Sequence, residues 1–127
     1  MASTLFNLPA NAIAIQFGGP GVDLSLGAVP TYAATVTADL ANNGFILING
    51  VAATSATCTI NTNKGFNIGQ EGSILIKDTG GVTITFGTNF KSSGTANPTT
   101  GKAITVYFIY DGTNWIETGR NAAAVTY

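Results

Sequence analysis

The order of strand-like runs and turns in residues 72–115 constrains the fold more than any other feature of this chain. Ser73–Lys77 and Val82–Phe86 both alternate between apolar and polar residues, as β-strands with one buried face do. Asp78-Thr79-Gly80-Gly81 lies between them and has the residue types that favour tight turns. This stretch therefore predicts a β-hairpin.

A second hairpin is predicted immediately downstream. Ile104–Tyr110 is a long run of β-branched and aromatic residues, and Asp111-Gly112 separates it from Trp115. Alternation divides the long strand into two faces. The predicted core face carries Ile104, Val106, Phe108 and Tyr110, and the opposite face carries Thr105, Tyr107 and Ile109. The second face is too apolar for free exposure to water, so we expect it to pack against a second sheet or another subunit.

The rest of the chain also lacks a helical period and is rich in short strand-like runs. Residues 1–31, broken by Pro9, Gly18-Gly19-Pro20-Gly21 and Pro30, are predicted to form an extended arm. Residues 32–127 are predicted to form one domain, an antiparallel sandwich or barrel, because strands follow at short intervals with Gly and Asn at the turns. Its further predicted strands are Ala34–Leu40, Phe45–Asn49, Thr57–Asn61, Asn114–Thr118 and a final segment Ala122–Tyr127.

The composition indicates a protein that associates. Hydrophobic residues make up 45% of the chain and charged residues only 9%, with a mean hydropathy of +0.30. A typical soluble domain has about 25% charged residues. The surface must therefore be covered largely by Thr, Asn, Ser and Gly, and such a surface favours contact with other subunits.

The charged residues suggest neither nucleic-acid binding nor catalysis. The five basic residues are scattered along the chain, whereas phosphate binding needs them concentrated. The chain has no His, which excludes the usual triads and His-liganded zinc. Six carboxylates could still supply a glycosidase pair, but no local motif places two of them together. We therefore expect no catalytic, cofactor or metal site.

The cysteine content fits synthesis in a reducing cytosol, and the apolar runs give no membrane-spanning segment. Cys58 is the only cysteine, so no internal disulfide can form, and the alternation in Thr57–Asn61 predicts that Cys58 and Ile60 face the core. The longest apolar runs, such as Phe45–Ile48, are too short to span a bilayer, and we expect no contact with a membrane.

The region from Gly72 to Trp115 resembles a module of structural proteins of tailed bacteriophages, found in capsid decoration (cement) proteins, head fibres and tail-fibre tips. The resemblance covers about a third of the chain. It is carried by Gly72, the Gly80-Gly81 turn, Thr85-Phe86, Phe90-Lys91, the Gly94 to Pro98 loop, the Thr105–Tyr110 strand and Asp111-Gly112-Thr113-Asn114-Trp115.

This resemblance implies a jelly-roll-like sandwich that assembles as a homotrimer and is a virion structural protein. The first expectation is a decoration protein that is made in the host cytoplasm, binds the major capsid protein on the capsid exterior and stabilises the capsid. The arm would supply capsid contacts through apolar side chains that occupy pockets of the partner. The candidate capsid contacts are Leu5, Phe6, Leu8, Ile13, Ile15 and Phe17, and the candidate trimer contacts are Tyr107, Ile109, Trp115 and Tyr127.

Two alternatives stay open at this point. A head- or tail-fibre tip would recognise a host-surface glycan, because exposed aromatic rings stack on sugars, and Trp115 is the only Trp available. A small carbohydrate-active enzyme is the remote alternative. Burial of Trp115 would favour the structural interpretation over the fibre tip.

Overall fold

The computed structural model describes residues 27–49, 57–78, 82–121 and 125–126. This part of the chain is all-β and forms two sheets, with no helix, and therefore none long and apolar enough to cross a membrane. Its nine strands are β1 (Thr35–Thr37), β2 (Phe45–Asn49), β3 (Thr57–Asn61), β4 (Glu71–Asp78), β5 (Thr83–Phe86), β6 (Phe90–Lys91), β7 (Lys102–Tyr110), β8 (Trp115–Arg120) and β9 (Val125–Thr126). The bounds predicted for β2 and β3 match, whereas β1 is shorter than predicted and the two-residue β6 was not predicted.

The first six strands alternate between the two sheets. β1, β3 and β5 form a three-stranded sheet in which both neighbouring pairs run parallel. β2 and β4 pair in parallel in the other sheet, whose strand order is β2-β4-β7-β8-β6, with β9 also paired to β7. The chain therefore winds as a coil with one strand in each sheet per turn. The prediction of a wholly antiparallel sandwich is wrong. When the chain crosses to the other sheet and comes back, the new strand runs parallel to the previous strand of that sheet.

The predicted hairpin between Ser73–Lys77 and Val82–Phe86 does not form. β4 pairs with β2 and β7, while β5 pairs with β3 in the other sheet. Residues 79–81 of the predicted turn lie outside the described residues, and the strands on either side of them belong to different sheets. Residues of this kind allow a sharp change of direction but do not determine which strand becomes the neighbour.

The second predicted hairpin is confirmed. β7 and β8 are antiparallel, with Tyr110 opposite Trp115 across the Asp111-Gly112 turn. The Asp111 carboxylate accepts hydrogen bonds of 2.7 Å from the backbone N–H groups of Thr113 and Asn114, and these bonds lower the pKa of Asp111. Gly112 has a φ of +100°, which a residue with a side chain rarely adopts.

The two sheets enclose one hydrophobic core, built as the alternation predicts. Val106, Phe108 and Tyr110 are buried on β7, and Ile104 packs against them at the edge of the core. Cys58 and Ile60 on β3 face inward as expected, and burial raises the pKa of the Cys58 thiol. The ring of Phe108 contacts the partly buried ring of Phe86 edge-on and packs at a tilt against the buried ring of Phe90.

The corners where the coil crosses between sheets stack on one another. Thr62 is buried at 3% exposure, and its hydroxyl accepts a 3.0 Å hydrogen bond from the backbone N–H of Leu40 in the preceding corner. Its backbone N–H donates to the carbonyl of Thr88 in the next corner, and its carbonyl accepts from the side-chain amide of Asn89. Asn89 has a φ of +69°, a conformation that Asn tolerates better than most residues. The buried hydroxyl of Thr62 thus has a hydrogen-bond partner. Together with the backbone bonds of Thr62, it connects three successive corners of the coil.

The described chain begins at the free edge of β2. Ala28 donates to the carbonyl of Phe45 and accepts from the N–H of Leu47, at 3.0 and 2.9 Å. The next residue in position to donate is Pro30, which has no N–H, so the pairing cannot continue. Most of the predicted arm, residues 1–26, lies outside the described residues, and so do the six candidate capsid contacts.

Candidate interaction surface

The outer face of the six-stranded sheet presents a row of side chains that runs across four strands. Phe45, Ser73, Tyr107 and Gly119 lie opposite one another on β2, β4, β7 and β8. Tyr107 is 50% exposed and Phe45 is 39% exposed. Ser73 is small and Gly119 has no side chain, so neither covers the ring of Tyr107. The predicted outward orientation of Tyr107 is confirmed.

A groove of about 520 Å³ crosses this face beside Tyr107. Its walls are the beginnings of β2 and β4 and the end of β7, and it is lined by Gly44, Glu71, Gly72, Ser73, Tyr107, Phe108, Ile109 and Thr118. Ile109 is half-buried there. Two of the four residues proposed from the sequence as trimer contacts, Tyr107 and Ile109, are therefore side by side at one groove.

A bulge in β8 shapes the same region. Tyr107 lies opposite Gly119 and Phe108 lies opposite Glu117, so Thr118 is an extra residue without its own partner position on β7. An extra residue reverses the alternation of side chains beyond it. Glu117 and Arg120, three positions apart, consequently face the same side of the sheet and form an ion pair, with Arg120 Nε 2.7 Å from Glu117 Oε2.

This ion pair fastens the loop that follows β6. The Glu117 carboxylate accepts bonds from the N–H and hydroxyl of Ser93, and the Arg120 guanidinium donates to the carbonyls of Gly94 and Thr95. The next residue, Ala96, exchanges two backbone bonds with Ile84 of the other sheet. The pair thus stabilises the connection that joins the two sheets at this edge.

The ion pair gives the domain a pH-dependent stability. The side-chain hydrogen bond from Arg120 lowers the pKa of Glu117, although burial opposes this, and only 7% of the carboxylate side chain is exposed. A lowered folded-state pKa adds stability above the unfolded value, about 4.3, and this is lost as the pH falls below about 5. We expect Glu117→Gln to lower the free energy of unfolding at pH 7 by about 1–2 kcal/mol.

Chemical unfolding of both proteins at pH 7 and pH 3 tests this prediction. The difference between wild type and Glu117→Gln should shrink toward pH 3, because the stabilisation from the ionised carboxylate is lost progressively as the pH falls from the unfolded value through the lowered pKa of Glu117. Lys91→Gln, which removes an exposed charge on β6 outside the groove, is the control and should have little effect. An equal loss for Glu117→Gln at both pH values would contradict this account.

A second exposed apolar feature lies at the end of the same sheet. The loop between β3 and β4 carries Phe66 and Ile68, which are 66% and 79% exposed, and we call these two side chains the tip. Ile68 contacts the β7–β8 turn at Gly112, where an added Cβ would lie 3.1 Å from Ile68 Cγ1. The tip is not predicted by the alternation of strands and turns in the sequence. The available signal was two large apolar residues in a segment otherwise composed of Asn, Lys, Gly and Gln.

Trp115 lies in the core rather than on the surface. Its side chain is 0% exposed, its ring centroid is 5.3 Å from that of Tyr110, and its Nε1–H donates a 2.9 Å hydrogen bond to the carbonyl of Asn63. The expectation of burial is confirmed. A side chain buried within one chain offers no surface to a second copy or to a sugar, so Trp115 is not available as a direct contact. Tyr127 lies outside the described residues.

The polar side chains do not converge on a chemical centre. The described residues contain no group of three or more His, Cys, Asp or Glu side chains arranged to hold a metal ion. Among the described carboxylates, Asp39 bonds to Asn42, Asp111 closes the β7–β8 turn and Glu117 pairs with Arg120. Each of these three therefore has a structural role in its own loop or strand.

The chain matches no protein-family model, and no curated protein matches it significantly. The outer face and the tip, both exposed and apolar in the described part of the chain, are the structural basis for a functional proposal.

Proposed function

We propose that this chain is a virion structural protein of a tailed bacteriophage that binds the outer capsid surface as a homotrimer and stabilises it, as a decoration protein does. The observation that carries the proposal is the exposed apolar face of the six-stranded sheet, where Tyr107 and Phe45 are 50% and 39% exposed. Apolar exposure in a chain with so few charges favours burial against other subunits. The resemblance of residues 72–115 to the phage module is the reason for proposing a phage capsid as the partner.

The finer description of the fold as jelly-roll-like belongs to the same proposal. Its support is that two sheets enclose a single core and that the β7–β8 hairpin lies where the module has one. The arm, residues 1–31, is proposed to contact the major capsid protein, and the sandwich is proposed to form the trimer. Assembly takes place on the exterior of the virion after synthesis in the host cytoplasm.

The alternative of a glycan-binding fibre tip has lost its strongest candidate residue. Trp115 is buried, and Tyr107 projects from the middle of a sheet rather than from a loop end. Phe66 is an exposed ring in a loop, but the neighbouring exposed side chain is Ile68, an aliphatic group that does not stack on a sugar. These positions favour contact with protein.

The oligomeric state of the purified protein tests the proposal. We expect light scattering at micromolar concentration to give three times the 12.9 kDa mass of the chain. The mass should persist at high salt, because the exposed contacts are apolar rather than ionic. A monomer mass under both conditions would contradict the proposed trimer.

A further inference from the structure

The tip is held rigidly although its side chains are exposed. The backbone N–H of Phe66 donates to the side-chain oxygen of Gln70 at 2.8 Å, and the amide of Gln70 donates to the carbonyl of Ala41 at 2.9 Å. The backbone N–H of Gly69 donates to the carbonyl of Tyr110, and the carbonyl of Gln70 accepts from the N–H of Tyr110. The loop is therefore ordered before any partner binds, which reduces the entropy lost on binding.

The close packing beneath the tip depends on a glycine. A Cβ added at Gly65 would lie 2.5 Å from Cγ of the Tyr110 ring, so only a residue without a side chain fits there. This contact sets the loop directly on the core while Phe66 and Ile68 project outward. Two large apolar side chains kept in water by a rigid support are characteristic of the central contacts of a protein interface.

The surroundings of the tip favour a protein partner. Lys64 is the one basic residue in residues 62–70, and its ammonium donates to the carbonyl of Thr113 beside Asp111. A surface that binds lipid generally has several basic residues around its apolar side chains, whereas the tip has only Lys64. The other neighbours, Asn63, Asn67 and Gln70, are amides, which suit the hydrated rim of an apolar protein contact.

The groove on the outer face has the complementary properties. It is concave and open, and its lining combines Tyr107 and Ile109 with polar groups such as Ser73 and Thr118, whereas the tip is convex and apolar. Glu71 lies at the groove and Lys64 lies beside the tip, which allows one pair of opposite charges, while Asp111 near Lys64 has the same sign as Glu71. Both surfaces belong to every copy of the chain.

We propose that the tip of one copy docks into the groove of the next copy and that three such contacts close the trimer as a ring. This inference rests on the proposed homotrimer and identifies its contact residues. A contact between two different surfaces is heterologous, and it gives a closed ring or an open fibre according to the rotation between subunits. Here the surfaces are neighbours, since Gln70 follows the tip and Glu71 lines the groove. Neighbouring surfaces require a large rotation at each contact, which favours a small ring.

Cysteine cross-linking tests this contact directly. Ile68→Cys and Thr118→Cys are introduced together and treated with a short bis-maleimide, and only bands above one chain on a denaturing gel are counted. Cys58 is buried and is not expected to react. The matched control combines Ile68→Cys with Thr85→Cys, an exposed Thr on the other sheet. We expect bands of two and three chains for the first pair and single chains for the control.

Light scattering on the same samples distinguishes the two proposals, namely that the protein is a trimer and that the tip docks into the groove. A trimer that cross-links through residues 68 and 118 supports both the trimer and the tip-and-groove contact. A trimer that gives no more cross-linking than the control overturns the tip-and-groove contact and leaves the trimer standing. A monomer overturns the proposed trimer itself.

Ile68→Asp provides an independent measurement. This change should raise the dissociation constant of the trimer by about 100-fold or more, because a charge would be buried in the groove, while the circular dichroism spectrum stays unchanged. Ile68→Val is the conservative control and should retain the trimer. Wild-type binding to phosphatidylcholine vesicles that is lost in Ile68→Asp, with the trimer unchanged, would identify the tip as a lipid contact and overturn the inference.

Discussion

Truncation of Trp115 to alanine is expected to lower the free energy of unfolding by about 3–5 kcal/mol, the range found for large aromatic side chains in well-packed cores. The ring is fully buried against Tyr110, and its N–H donates to the carbonyl of Asn63. The truncation therefore removes the packing, creates a cavity and breaks a hydrogen bond between β8 and the loop that leads to the tip. Urea unfolding followed by far-ultraviolet circular dichroism measures the loss, since the variant has no Trp to report by fluorescence.

Trp115→Phe is the matched control for this prediction. It retains a buried ring but removes the N–H donor, so we expect a smaller loss, about 1–2 kcal/mol. In the wild type, burial predicts a fluorescence maximum at shorter wavelength than that of Trp in water. A maximum typical of full exposure, together with unchanged stability of Trp115→Ala, would contradict the burial and strengthen the fibre-tip alternative.

Deletion of residues 2–21 is expected to abolish binding to capsids while leaving a folded trimer. Ala28, which pairs with β2, is retained, and so is every described strand of the two sheets. The deletion removes all six candidate capsid contacts, including Leu5, Phe6 and Leu8. Co-sedimentation with capsids that lack the protein measures binding, and light scattering on the same sample measures assembly.

Replacement of residues 2–21 by a Gly/Ser segment of equal length is the control for chain length. It should also fail to bind, because the proposed contacts are apolar side chains rather than backbone length. Normal occupancy of the deleted protein on capsids would show that the arm is not the anchor and that contact comes from the sandwich. Loss of the trimer in the deleted protein would show that anchoring and assembly are not separable.

The strands themselves could be predicted from the sequence because their signals are local. The alternation in Thr57–Asn61 and in Ile104–Tyr110 indicates both the strand and its buried face, and Asp111-Gly112 favours a tight turn whatever surrounds it. The burial of Trp115 follows from the same local information, since an Asp-Gly hairpin places it opposite Tyr110.

The pairing of strands could not be predicted in the same way. Ser73–Lys77 and Val82–Phe86 have the same alternation whether they pair with each other or with strands on opposite sides of a core. Their partners are fixed by contacts distant in sequence, such as Thr57 opposite Thr83 and Ile74 opposite Val106. The parallel coil arises from these distant contacts, which explains why a local interpretation gave a hairpin.

The amount of this protein in purified phage particles tests the proposed function most directly. Quantitative mass spectrometry of virions, with the major capsid protein as the internal reference, gives the number of copies per particle. A decoration protein is expected at a copy number comparable with that of the major capsid protein, and image reconstruction of the same particles should place it on the capsid exterior. A few copies per particle would favour a fibre tip, and complete absence from particles would contradict a role in the virion.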